Sequence, residues 1–171
     1  MNNLQWFIKK TPIGSLRVEF SERDIVACRW IKDQPITLTN KNFLSGKIIK
    51  IAIGIEKEID AYFQGKLTSF SIPVNPSGTE FEMKVWKELL KIPYGCTVTY
   101  REIAERIGNP KSVRAVGMAC KKNPIGLFIP CHRVVGSGGT WGGYNGGIEK
   151  KLFLLEMECK ASGLFLYPND R

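Results

Sequence analysis

The sequence predicts a two-part chain of the α/β (α+β) class, with an N-terminal α/β domain over residues 1–76 and a mostly helical C-terminal domain over 77–171. Three observations predict this. Period-two alternation, the mark of a half-buried strand, falls before residue 32. Apolar residues at three- and four-residue steps, the mark of a helix face, recur from 47 to 63 and again from 79 onward. Between the two helical stretches, Ile72-Pro-Val-Asn-Pro-Ser-Gly is rich in turn formers and reads as a linker.

Composition agrees with a globular fold. The chain has 171 residues, 43% hydrophobic and 24% charged, enough apolar material for a core. No apolar run reaches the roughly 18 residues that span a bilayer. The start, Met1-Asn-Asn-Leu-Gln-Trp-Phe-Ile-Lys-Lys, lacks the charge, apolar stretch and small-residue order of a signal peptide, so a cytoplasmic location is expected. The formal charge of +9 attracts polyanions, nucleic acid among them.

Each element has a local reason. Leu16-Arg-Val-Glu-Phe alternates as a strand, and Ile25-Val-Ala-Cys-Arg-Trp-Ile reads as its neighbour. Pro12-Ile-Gly-Ser and Ser21-Glu-Arg-Asp supply turn chemistry. From Lys47 to Phe63, Ile48, Ile51, Ile55, Ile59, Tyr62 and Phe63 form one helix face, and Gly65 stops it. After the linker, Thr79 can cap a helix whose stripe is Phe81, Val85, Trp86, Leu89 and Leu90. Thr99, with Glu102 three residues later, has capping-box spacing for a second helix that ends at Gly108-Asn-Pro. Ser112 can cap a third, running through Val113, Val116 and Ala119.

The second and third helices, joined by a tight turn, have the outline of a helix-turn-helix, although any helical hairpin shares it. Charge favours a DNA partner. From Thr97 to Gly136 there are seven basic residues (Arg101, Arg106, Lys111, Arg114, Lys121, Lys122, Arg133) against Glu102 and Glu105, a net +5.

The five cysteines, Cys28, Cys96, Cys120, Cys131 and Cys159, contain no CxxC pair, and the chain has one His. Neither a disulfide framework nor a zinc site is expected. Cys131 stands apart because His132 follows it. An imidazole can take the thiol proton and leave the nucleophilic thiolate. Sequence neighbours on an extended strand face opposite ways, so either Pro130 bends the apolar run Ile125–Ile129 at this point or a water bridges the two side chains. Glu149, Glu156 and Glu158 on the closing helix could each orient the ring, and spacing does not choose among them. The loop from Gly136 to Gly147, with seven glycines in twelve residues, permits close backbone approach to a flat ligand.

Pro130-Cys-His-Arg-Val-Val resembles the active-site signature of the O6-alkylguanine-DNA alkyltransferases, direct-reversal repair proteins. Ile92-Pro-Tyr-Gly, Thr99-Tyr-Arg-Glu-Ile-Ala, Gly108-Asn-Pro-Lys, Arg114-Ala-Val-Gly, Asn123-Pro and Gly143-Tyr-Asn-Gly-Gly resemble the family in order and spacing, over about residues 79 to 160. The resemblance implies a ribonuclease-H-like first domain and a winged helix-turn-helix-like second one. It implies Cys131 as the single-use acceptor of a methyl or larger alkyl group from O6-alkylguanine, with O4-alkylthymine as a further candidate. By the same resemblance His132 is the base acting through water, Glu158 its orienting carboxylate, and Tyr100 the hydrogen-bond partner of the base.

DNA contacts are implied for Arg114, which fills the gap left by an extruded base, and for Ala115, Ser112, Lys111, Arg101 and Thr99 around it. The third helix would enter the minor groove of double-stranded DNA with little sequence preference. Asn123 is implied as a hinge, Val134 as presenting loop carbonyls, and Tyr144 as packing over the base, with a backbone N–H near Asn145 approaching O6. Trp141 and Cys120 are placed near the alkyl pocket. No cofactor, no metal and a monomeric state are expected. The alternatives are a lesion-binding module without chemistry, a Cys-His hydrolase and a transcription factor. The first does not need Cys131, the second leaves Arg114 unexplained, and the third leaves Cys131-His132 idle.

Overall fold

Alternating residues in the first third build three antiparallel strands in the computed structural model, which describes residues 4–32, 46–138 and 140–163. Gly139 of the glycine loop and the first three residues lie outside these. The strands are β1 (Gln5–Thr11), β2 (Gly14–Phe20) and β3 (Ile25–Ile31), in spatial order β1-β2-β3. β1 is an addition to the sequence reading. Its pattern Trp-Phe-Ile-Lys-Lys does not alternate cleanly, but pairing from Gln5↔Phe20 to Thr11↔Gly14 satisfies its backbone. Only Pro12 and Ile13 separate the paired ends, as in a tight hairpin.

The 18-residue helix α1 (Gly46–Phe63) touches β1, and Lys9 Nζ reaches Asp60 at 2.7 Å. Ile48, Ala52, Ile55, Ile59 and Tyr62 are its buried face, while Phe7, Leu16, Val18 and Phe20 are buried on the strands. This first compact unit comprises residues 1–76 together with 124–128. The latter segment hydrogen-bonds the third strand: the Cys28 N–H donates to the Pro124 carbonyl and the Gly126 N–H to the Cys28 carbonyl, both at 2.9 Å. The apolar run Ile125–Ile129 thus forms no strand, only a single bridge, Cys28↔Ile125, followed by turns. Leu127 has a left-handed φ of 73°, which no regular strand accommodates.

The second unit, residues 77–123 with 129–171, is mostly helical. It contains α2 (Glu80–Leu89), β4 (Val98–Thr99), α3 (Tyr100–Arg106), α4 (Val113–Lys121), a 3-10 turn (Cys131–Arg133), β5 (Val134–Val135) and α5 (Ile148–Ser162). Thr79 and Glu82 form a capping box on α2, and Thr99 and Glu102 form one on α3. Trp86 is buried and donates from Nε1 to the Ala119 carbonyl at 2.9 Å, fixing α2 against α4. Ser112 occupies the cap position of α4 but does not cap it. Its φ and ψ of −89° and 18° lie outside the extended region a side-chain cap requires, and its hydroxyl donates to the Asn109 carbonyl at 2.7 Å.

β4 and β5 are only two residues each, and they run parallel with Val98↔Val134 and Thr99↔Val135 in register. Tyr100 directly follows one, and the Cys131–Arg133 turn directly precedes the other. The short pairing therefore brings the start of α3 beside the cysteine turn.

Candidate active site

Pro130 interrupts the chain and the 3-10 turn begins at once, with the Arg133 N–H donating to the Pro130 carbonyl at 3.0 Å. The chain thus bends at Pro130. A 3-10 turn rotates successive residues by about 120°, not the half-turn of a strand, so Cys131 and His132 need not point oppositely. Asn123 holds the approach to the turn: it is buried, and its side-chain amide donates to the Ile129 carbonyl at 2.8 Å.

Glu158 is the hub. Its side chain is wholly buried, and Oε1 lies 3.0 Å from His132 Nε2. Arg133 donates to the same carboxylate from Nε and Nη2, each at 2.9 Å, and the Gly95 N–H adds a fourth bond at 3.1 Å. Arg133 Nη1 donates to the Ile92 carbonyl at 2.7 Å. Of the three glutamates open to the sequence, Glu158 is the one that meets the ring; Glu156 pairs with Lys160 at the surface and Glu149 is exposed. Arg133 therefore does not belong to the basic face on which its charge was counted.

Electrostatics follow from burial. Burial pushes the Cys131 thiol up, opposed by a hydrogen bond from Asn123 and the charge of Lys151. Burial pushes His132 down, against the bond and charge of Glu158, so the ring is neutral at pH 7. Burial raises Glu158, but hydrogen bonds from His132 and Arg133 and the charge of the Arg133 guanidinium outweigh it and hold the carboxyl well below the usual range. Burial, then Cys120 and Cys131, push the Tyr100 hydroxyl up to about 12, so it remains a donor. Burial and Cys131 push Cys120 up to about 12 as well.

Tyr100 is half-buried at the start of α3. The glycine loop closes on it: a Cβ placed on Gly142, whose φ is +66°, would sit 2.6 Å from the Tyr100 hydroxyl oxygen. Tyr144 on the same loop meets His132 edge-to-face at 6.3 Å. Trp141 is half-buried and Asn145 exposed. Val134 is buried, and its carbonyl accepts from Lys151 Nζ at 2.5 Å. Arg114 and Ala115 are exposed in the first turn of α4, with Lys111 exposed just before it and Arg101 exposed on α3. Thr99 is engaged in capping α3. Lys121 is exposed, and Lys122 pairs with Glu82 at 2.9 Å.

The sequence reading missed Lys151, Arg133 as a structural ion, and the Gly142–Tyr100 approach. Lys151 left a signal. It shares a stripe with Leu154, Leu155 and Glu158, spaced three, four and seven residues on, the spacing of a buried helix face. Among the described residues, no group of three or more His, Cys, Asp or Glu could hold a metal ion, and no helix is long and apolar enough to cross a membrane.

Residues 80–160 match the family model described as 6-O-methylguanine DNA methyltransferase, DNA binding domain. The chain is 41% identical over 151 residues to a methylated-DNA–protein-cysteine methyltransferase of Methanosarcina barkeri, covering 88% of this chain and 94% of that one. Its structure resembles the Mycobacterium tuberculosis O6-methylguanine methyltransferase, with a TM-score of 0.78 at 35% identity over 92% and 94% of the two chains. A structure of the Mycobacterium tuberculosis protein in complex with DNA gives the same TM-score at 37% identity, covering 91% and 93%.

Proposed function

The chain belongs to the methylated-DNA–protein-cysteine methyltransferase family, and from that premise we propose that it repairs DNA by direct reversal, moving an alkyl group from guanine O6 to Cys131 once per molecule. The observation that carries this reading is the buried His132–Glu158 pair at 3.0 Å, with His132 next to Cys131 in one 3-10 turn.

The roles divide as follows. Glu158 holds Nε2, so Nδ1 is the nitrogen that takes the Cys131 proton through water. The thiolate sulfur attacks the alkyl carbon and an S–C bond forms. The C–O6 bond breaks, and its electron pair stays on guanine. The Tyr100 hydroxyl donates a hydrogen bond that offsets this charge, which its raised pKa permits. The proton count closes when guanine regains a proton by way of His132 and water. The thioether product is stable, so no turnover follows.

The substrate is double-stranded DNA carrying O6-alkylguanine. O6 is unreachable inside the duplex, so the base must leave the stack, at a cost of a few kcal/mol. The exposed Arg114 is the side chain suited to fill the gap, and Ala115 lets the backbone of α4 approach the minor groove. Lys111 and Arg101 flank that surface and serve the phosphates, while Ser112 and Thr99, whose hydroxyls are bonded within the fold, shape the backbone beside it. Asn123 fixes the entry to the cysteine turn. Val134, Tyr144 and Asn145 line the base site, and Trp141 and Cys120 border the alkyl group. The protein acts as a monomer, in the compartment that holds the DNA. The N-terminal domain, 1–76, is read as ribonuclease-H-like.

Intact mass after incubation with excess O6-methylguanine duplex tests the proposal. One methyl group, about 14 Da, on Cys131 that stops at one equivalent is the expected result. Tight lesion binding without an adduct would replace it with the recognition module, and continued turnover with a hydrolase.

A further inference from the structure

Lys151 lies in the first turn of α5 and is wholly buried. Its Nζ donates to the Val134 carbonyl at 2.5 Å. Among the described residues no carboxylate pairs with it, and Glu158, on the same helix face, is taken up by His132, Arg133 and the Gly95 N–H. An internal cation without a counter-ion is expensive, so the groups around it matter.

Those groups are thiols. Val134 closes the 3-10 turn, its N–H donating to the Cys131 carbonyl, so the bond to Lys151 anchors the ammonium one turn from the nucleophile. Cys131 and Cys120 are the groups whose anions would stabilise the ammonium. We propose that Lys151 is the counter-cation of the Cys131 thiolate, meeting the negative charge on sulfur as His132 takes the proton; this rests on Cys131 being the alkyl acceptor.

The other charged groups facing the thiol do not serve. His132 is neutral at rest and is needed as proton acceptor. Arg133 is spent on Glu158, and Tyr100 stays protonated. Burial pulls Lys151 down to about 8, against the opposing pull of Cys131 and Cys120, which leaves it mostly cationic at neutral pH. Cys120 shares the cation, but burial pushes both thiols up and only Cys131 has a hydrogen bond from Asn123 that opposes it, so the anion is better met there. The work is divided: the proton goes to His132 and Glu158, and the negative charge on sulfur is met by Lys151. Lys151 is a positioning residue, since it touches neither the base nor the alkyl group.

The test uses the full chain and iodoacetamide as probe, with Cys131 labelling followed by peptide mass from pH 6 to 10. Lys151→Gln removes the charge but keeps an N–H donor for Val134. Its labelling midpoint should rise by about one pH unit, slowing labelling at pH 7 about tenfold, with the wild-type rate recovered at high pH. A merely structural role would change the rate at every pH, and an unmoved midpoint overturns the proposal. A second measurement needs no variant. In the wild-type protein, the Lys151 side-chain titration is followed by NMR before and after iodoacetamide blocks Cys131. The midpoint should fall once the thiolate is gone, and an unchanged midpoint overturns the proposal even if Lys151→Gln does not fold. If wild-type protein labels at Cys131 yet takes no methyl group from DNA, the transfer reading fails. If it takes the methyl group while both midpoints stay put, only the role of Lys151 fails.

Discussion

Glu158 Oε1 lies 3.0 Å from His132 Nε2 with both side chains wholly shielded from solvent, and the same carboxylate binds Arg133 twice. One anion thus orients the base and neutralises a buried guanidinium. Glu158→Gln keeps the shape and removes the charge. It leaves Arg133 uncompensated, and breaking a buried pair of this kind costs about 3 kcal/mol. Urea unfolding should show that loss, and single-turnover transfer should slow as the ring loses its orientation. Unchanged stability would mean that the carboxylate is not the counter-ion of Arg133.

Acid should weaken the fold through His132. Burial holds its folded pKa below the ordinary 6.5, so the unfolded chain binds the proton more readily. The associated stability is fully present above about pH 6.5 and is lost as the pH falls towards the folded value. His132 is the only histidine in the chain, and ordinary carboxylates titrate lower, so the slope of Tm between pH 6.5 and about 5 belongs mainly to this ring. His132→Asn should flatten that slope. Glu158, also depressed, adds its own loss further into acid.

Gly142 has a left-handed φ of +66°, and a Cβ there would press on the Tyr100 hydroxyl. Gly142→Ala should therefore displace the hydroxyl or the loop, at a backbone cost of about 1 kcal/mol. Transfer should fall much more than stability does, and Tyr100→Phe should fall by a similar factor if the hydroxyl is what the loop positions. Parallel measurement of Tm and the rate with free O6-benzylguanine separates the two effects.

How much of this was legible in the sequence depended on the range of the interactions. The helices over 80–89 and 100–106 follow from Thr79 and from Thr99 with Glu102, which act within one turn. α1 follows from its isoleucine spacing. The Cys131–His132 pair was visible as adjacent residues, but its 3-10 geometry was not, because it depends on Asn123 holding the Ile129 carbonyl and on β5 pairing with β4. The excursion of residues 124–128 to the third strand was hidden for a similar reason: Cys28 bonds Pro124 and Gly126 across almost a hundred residues. Periodicity counts neighbours along the chain, and these contacts have none. The ion pair of Arg133 with Glu158 likewise spans 25 residues, so charge counting left Arg133 on the surface.

Arg114 gives the sharpest separation of DNA handling from chemistry. It is exposed in the first turn of α4, so Arg114→Ala should leave the unfolding free energy within about 0.5 kcal/mol of wild type. Reaction with free O6-benzylguanine needs no extruded base and should persist. Repair of an O6-methylguanine duplex should drop about a hundredfold, the equivalent of a few kcal/mol of unstacking no longer offset. Duplex affinity of both proteins should fall steeply between 50 and 200 mM salt, because Lys111, Arg101 and their neighbours would contact phosphates. Replacing Lys111 by Ala should reduce the slope of that salt dependence by about one, whereas a drop in the free-base reaction of Arg114→Ala equal to the drop on duplex would place the arginine in the chemistry instead.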